Sequence, residues 1–72
     1  MKMKTNNEFL TSIARIAIRE NARGDVTNRD RAVRGWVDAG GVAGFSSAGN
    51  PLYRRADGRR ISDRWAAIHS YA

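Results

Sequence analysis

The stretch that decides the fold is residues 40–61, which read GGVAGFSSAGNPLYRRADGRRI. Two runs that tolerate strand geometry, 42–45 and 52–55, lie on either side of the turn-forming residues 46–51. Gly, Ser, Asn and Pro between two such runs are typical of a β-hairpin. We therefore predict a hairpin here.

A second turn follows at Asp57-Gly58, a dipeptide that is common in two-residue hairpin loops. Residues 59–61 then form a third short strand. In this register Arg55 faces Arg60 across the hairpin, and Tyr53 lies on the same face as both.

The clearest segment before the hairpin is a helix over residues 8–22. Asn7 is suited to cap it, and Gly24 is suited to stop it. Ile18 falls near the polar side of this helix and suggests a second contact surface. The apolar stripe that repeats at helical spacing consists of Phe9, Leu10, Ile13, Ile16 and Ala17.

A second helix is predicted over residues 28–39. Thr27 and Asp30 have the spacing of a capping box, with Asp in place of the usual Glu. Gly40-Gly41 ends the helix. Its apolar face consists of Ala32, Val33, Trp36 and Val37.

A third helix closes the chain, with Ser62 as its predicted cap. Its apolar side consists of Ile61, Trp65, Ile68 and Ala72. The order of elements is therefore helix, helix, hairpin, helix. This order predicts an α+β fold, a small winged helix-like domain in which residues 1–72 form a single unit.

Length and charge limit what such a domain can do. The chain has 72 residues and no Cys, and its 13 basic residues, eleven of them Arg, outnumber 7 acidic ones to give a net charge of +6. A chain this short buries a small core, which excludes a barrel, a doubly wound sheet or a pocket that encloses a cofactor. Without Cys it has neither disulfides nor a zinc knuckle. The composition predicts a small basic binding module.

The first eight residues, MKMKTNNE, have the basic start of a signal peptide but no apolar run behind it. No segment approaches the roughly 20 apolar residues that a membrane helix needs. We therefore expect a cytoplasmic protein without a membrane partner.

Residues suited to catalysis are sparse. His69 is the only histidine, no base or orienting acid lies near Ser46 and Ser47 in the sequence, and the carboxylates are scattered singly. Nucleophilic and acid–base catalysis both need such groups as partners. We expect no enzyme activity, no cofactor and no metal site.

The densest basic stretch is the hairpin, where five arginines fall within eleven residues against two aspartates. An anion across the predicted Arg55–Arg60 pair relieves the repulsion of like charges, and Arg holds phosphate through two hydrogen bonds. Tyr53 adds a donor on that face. The alternative is a solvated hairpin whose charge maintains solubility. The predicted phosphate contacts are Tyr53, Arg54, Arg55, Arg59 and Arg60.

The polar face of the second helix carries Asn28, Arg31 and Arg34. Asn and Arg make paired hydrogen bonds to adenine and guanine edges in the major groove. The alternative is an ordinary charged face, because Asp30–Arg34 and Arg34–Asp38 are i,i+4 pairs. Asn28 and Arg31 are the favoured base-reading residues, because Arg34 is the one that would be paired with Asp30 or Asp38.

The run RAVRGWVDAG over residues 31–40 resembles the recognition helix of excisionase-like and MerR-type winged helix-turn-helix domains. In that family a Val, an Arg, a Trp and then a Gly commonly close this helix. Residues 41–45 resemble the first wing strand, 49–51 the wing tip and 52–57 the return strand. The resemblance covers about residues 31–57. It implies a helix in the major groove and a wing against the DNA backbone.

The leading hypothesis is a sequence-specific or architectural DNA-binding protein of phage or mobile-element type, similar to excisionases or transcription regulators. Arg31 and Asn28 would read bases, and the hairpin arginines would hold phosphates. A second hypothesis is an interaction module that inhibits or adapts an acidic host protein. A third is RNA binding, with Tyr53 stacked on a base. So small a core is compatible with a homodimer.

Overall fold

The computed structural model describes residues 6–72, so the basic start of the chain, residues 1–5, lies outside the described residues. The predicted α+β layout is confirmed, with two helices, an antiparallel sheet in the order β1-β2-β3, and a final helix. The elements are α1 Asn6–Arg23, α2 Val26–Trp36, β1 Val42–Phe45, β2 Pro51–Arg54, β3 Arg60–Ile61 and α3 Arg64–His69. None of the helices within residues 6–72 has the length and apolar character needed to cross a membrane.

A tight turn links α1 to α2. Gly24 adopts φ 79°, and the N–H groups of Gly24 and Asp25 donate to the carbonyls of Asn21 and Glu20, at 3.1 and 3.0 Å. This is the double hydrogen bond of a glycine-terminated helix end. Asp25 then caps α2, because its carboxylate accepts from the backbone N–H of Asn28 at 3.0 Å. The predicted cap at Thr27 is therefore wrong, and α2 begins two residues earlier than expected.

The buried face of α1 is rotated from the predicted stripe. Leu10 and Ala17 are buried as expected, but Ala14 joins them, while Phe9 and Ile16 remain 47% and 40% exposed. Ile18, which the sequence placed near the polar side, packs against the core. The small side chains of Ala14 and Ala17 allow neighbouring elements to approach α1 closely. The prediction that Ile18 lies near the polar side of α1 is therefore wrong.

Between α2 and β1 the chain winds one wider turn, Val37–Gly41, which ends as Gly40 takes φ 118°. Gly41 is buried against the indole of Trp36. Trp36 is itself fully buried, and the rings of Tyr53 and Tyr71 each lie 6.1 Å from its ring, centroid to centroid. The wide turn therefore brings the sheet across the indole.

The register of the second hairpin differs from prediction by one residue. Tyr53 pairs with Ile61, and Arg54 rather than Arg55 faces Arg60. The loop has three residues, 56–58, and Gly58 takes the left-handed conformation at φ 89° that this loop type needs. This register turns Ile61 to the core beside Tyr53, where the two-residue loop would have placed Ser62 opposite Tyr53. The predicted Arg55–Arg60 pair is therefore wrong.

The last helix, α3, completes the core. Its cap is Asp63, whose carboxylate accepts from the N–H of Ala66 at 3.1 Å, so the predicted cap at Ser62 is wrong. Tyr71 rather than Ala72 is buried, and its hydroxyl donates to the carbonyl of Arg54 at 2.9 Å. The buried apolar side chains are Leu10, Ala14, Ala17, Val33, Trp36, Ala67, Ile68 and Tyr71.

Candidate nucleic-acid interface

The exposed face of α2 carries two arginines without carboxylate partners. Asp30 pairs with its neighbour Arg29, at 3.1 Å from Nε to Oδ1. In the part of the chain that the structure describes, no ion pair involves Arg31 or Arg34. The predicted alternative, in which Arg34 is neutralised by carboxylates one turn away, is not the arrangement found. Both guanidinium groups remain available to an outside anion.

Asn28 lies beside them on α2 but is already engaged. Its amide nitrogen donates to Oδ2 of Asp25 at 2.9 Å, while Oδ1 of Asp25 receives the backbone N–H of Asn28. Asn28 would have to release this contact to present both amide groups to a base. Arg31 carries no such constraint.

The tip of the second hairpin holds a cluster in which one carboxylate, that of Asp57, pairs with two arginines. Asp57 lies 3.2 Å from Nε of Arg55 and 3.8 Å from Nε of Arg59. The backbone N–H of Arg59 is the main cause that lowers the pKa of Asp57 below its ordinary value. Desolvation is the next largest effect and opposes it, and the guanidinium groups of Arg55 and Arg59 lower this pKa further. The like charges are thus relieved by a carboxylate of the loop itself.

The face of the sheet directed away from the core carries a second arginine pair. Arg54 and Arg60 lie opposite each other on β2 and β3. Nε of Arg54 donates to the carbonyl of Gly40 at 3.2 Å, which links the strand to the wide turn after α2. Arg60 lies over Gly44, where an added Cβ would be 3.5 Å from Nη1. Over residues 6–72, neither arginine has a carboxylate partner.

Tyr53 lies on the opposite face of β2 from this pair. It is half-buried, and its ring packs beside Trp36. The predicted common face for Tyr53 and Arg60 is therefore wrong, because the loop has one residue more than expected. The RNA hypothesis relied on Tyr53 as a stacking platform, but its half-buried ring packs against the core.

A groove between α1 and α2, about 300 Å³ in volume, was not anticipated. Ile13, Ile16 and Ala32 form its apolar lining, with Asn28 and Arg31 at the α2 side. Glu20, also in the lining, is 6% exposed and pairs with Arg23 at 3.0 Å. The spacing of Ile13, Ile16 and Glu20 was visible in the sequence, but their position beside α2 depends on how the helices pack.

Within residues 6–72, no group of three or more His, Asp or Glu side chains is placed to hold a metal ion. Comparisons with protein-family models, with curated proteins and with solved structures found no match to this chain.

Proposed function

We propose that this chain is a small DNA-binding protein, of the kind found among excisionases and transcription regulators. In this proposal α2 enters the major groove, and the face of the sheet that carries Arg54 and Arg60 lies against the phosphate backbone. The observation that carries it is the set of arginines without carboxylate partners on α2, Arg31 and Arg34. Within residues 6–72 neither of them forms an ion pair, and guanidinium groups suit both guanine edges and phosphate oxygens.

The cross-strand pair supports the same proposal. Like charges placed directly opposite on a sheet are unfavourable, and Arg54 and Arg60 are so placed without a carboxylate between them. A phosphate held by both would relieve that repulsion. Arg55 and Arg59 contribute less, because both pair with Asp57, whose single carboxylate offsets one of their two charges.

The test is the salt dependence of binding to a mixed-sequence DNA duplex, measured by fluorescence anisotropy between about 50 and 200 mM salt. Arg60→Gln should weaken binding to every sequence alike and reduce the slope of log K against log salt by about one. Arg31→Gln should weaken binding to a preferred sequence by about 1–3 kcal/mol. Arg19→Gln is the matched control, because Arg19 is an exposed arginine on the side of α1 away from the core.

Two results would contradict the proposal. One is the absence of duplex binding by the unaltered chain at about 50 mM salt, where phosphate contacts are strongest. The other is an Arg60→Gln variant that behaves like the Arg19→Gln control.

The groove between α1 and α2 favours a second candidate, an interaction module for an acidic protein. Its apolar lining of Ile13, Ile16 and Ala32, with Arg31 at one side, resembles a small docking site for a side chain of a partner. A pull-down from nuclease-treated lysate separates the two candidates. A partner that survives nuclease and is lost with Ile16→Asp favours the module, whereas loss of all captured material on nuclease treatment favours DNA.

A further inference from the structure

A second groove, of about 450 Å³, separates α2 from the start of α3. Arg34 of α2 and Arg64 of α3 both line it, and Val33 and Val37 form its apolar part. We propose that this groove binds a phosphate group of the DNA backbone between Arg34 and Arg64, which makes Arg64 an additional contact residue. The proposal rests on the function proposed above and extends the interface onto α3.

Arg64 is available for such a contact. It is exposed, and within the described ranges of the chain it forms no ion pair. The neighbouring carboxylate of Asp63 is occupied by the backbone N–H of Ala66, at 3.1 Å. A positive charge at the first position of a helix is unfavourable beside the exposed N–H groups. Arg64 therefore does not stabilise α3 through its charge.

The groove also contains one carboxylate, that of Asp30. This group would repel a phosphate if it were unpaired, but it lies 3.1 Å from Nε of Arg29, which offsets its charge. Among the residues that the structure describes, the guanidinium groups of Arg34 and Arg64 thus line the groove without an ion-pair partner. Each can offer two parallel N–H donors to the oxygens of one phosphate.

The groove continues into the exposed face of α2, which favours the DNA backbone as the source of the phosphate group. A smaller groove adjoins the one between α2 and α3, and it is lined by Arg31 and Arg34 together with Asp30. Arg31, Arg34 and Arg64 therefore follow one another from the middle of α2 across to α3. A DNA strand whose bases face Arg31 would pass its backbone along this row, with the sugar carbons against Val33 and Val37.

The experiment measures the salt dependence of duplex binding for Arg64→Gln, Arg34→Gln and the double variant, with Arg19→Gln as control. Neutralising one phosphate contributes about 0.9 to the slope for duplex DNA. Because both arginines hold the same phosphate, we expect the double variant to reduce the slope by about 0.9 and each single variant by a smaller amount. Arg64→Lys should retain the slope, because it keeps the charge. Circular dichroism at each salt concentration checks that the variants are folded.

The outcomes separate this inference from the function on which it rests. If the unaltered chain binds duplex DNA and Arg60→Gln weakens it, but Arg64→Gln and Arg64→Lys both match the control, then Arg64 is not a contact and only this inference is wrong. If the unaltered chain does not bind duplex DNA, the proposed function is wrong as well.

A free phosphate compound could bind through the same chemistry, so inorganic phosphate is titrated separately at constant ionic strength. The side-chain N–H signals of Arg34 and Arg64 are followed by NMR. Saturable shifts at low phosphate concentration, together with an unchanged DNA slope in Arg64→Gln, would assign the groove to a free phosphate compound and overturn the backbone assignment. Weak, unsaturated shifts together with a reduced DNA slope support it.

Discussion

Replacement of Gly41 by Ala should destabilise the fold severely. A Cβ at this position would lie against Cε3 of Trp36, 2.5 Å from Cζ3 and 2.7 Å from Cδ2. Carbon atoms pack best at about 3.5–4.0 Å, so the indole would have to retreat by about 1 Å. Trp36 is fully buried, and the rings of Tyr53 and Tyr71 pack beside it, so a shift of the indole would disturb this packing.

Overpacking of this kind costs about 1–3 kcal/mol, and more where nothing can yield. For Gly41→Ala we expect about 3 kcal/mol, because the displaced group is a rigid ring with packed neighbours. A domain of this length has about 4–11 kcal/mol of total stability. Since each kcal/mol shifts the Tm of a small domain by about 4–8 °C, the Tm should fall by more than about 10 °C.

Thermal and urea denaturation followed by circular dichroism measure this loss. Gly35→Ala is the matched control, because an added Cβ there would be 3.9 Å from Cγ2 of Ile13, an ordinary contact. In the interior of α2 that change should stabilise by about 0.5–1 kcal/mol. A Gly41→Ala protein that melts within about 3 °C of the unaltered chain would show that the indole is not seated on Gly41. In a double-mutant cycle, Trp36→Phe should relieve part of the loss.

Three smaller effects follow from individual hydrogen bonds. Asp25→Ala should destabilise by about 1 kcal/mol in urea denaturation, whereas Thr27→Ala should cost clearly less, because Asp25 is the cap of α2. Burial raises the pKa of Tyr71 above its ordinary 10.0, so the protonated hydroxyl stabilises the fold below about pH 10 and this stability declines as pH rises further. Tyr71→Phe should lose about 0.5–1.5 kcal/mol at neutral pH with the bond to Arg54, and its alkaline decline should be smaller. The pKa of Asp57 is lowered in the folded protein. Its carboxylate therefore stabilises the fold above the pKa of the unfolded state, and this stability is lost as pH falls through the folded pKa. Asp57→Ala should make Tm less dependent on pH in this acid range.

The elements themselves could be predicted from local pattern, but their exact ends could not. Asp25 and Thr27 are both good cap residues. The choice of Asp25 follows from the hydrogen bonds that end α1 at Gly24, which deliver Asp25 directly to the start of α2. Similarly, Asp57-Gly58 suits both a two-residue and a three-residue loop. The burial of Ile61 beside Tyr53 decides between them, and burial is a property of the whole fold.

The candidate interface was predictable in composition but not in arrangement. The sequence indicated that the hairpin and α2 carry the important arginines. Which of them remain without a partner depends on contacts between distant parts of the chain and on side-chain geometry. Arg54 reaches the carbonyl of Gly40, fourteen residues earlier, and Asp30 pairs with its neighbour rather than with Arg34. The groove that Arg64 shares with α2 exists only because α3 starts beside that helix.

The outer strands of the sheet bear on how the protein behaves at high concentration. An open strand edge is a template on which other chains can add and aggregate. β3 has only two residues, and β1 departs from regular pairing between Val42 and Gly44. A short strand and a bulge are both known obstacles to such addition. Deletion of Ala43, the residue at the irregularity, would straighten this edge and should make the protein prone to assemble into β-rich aggregates.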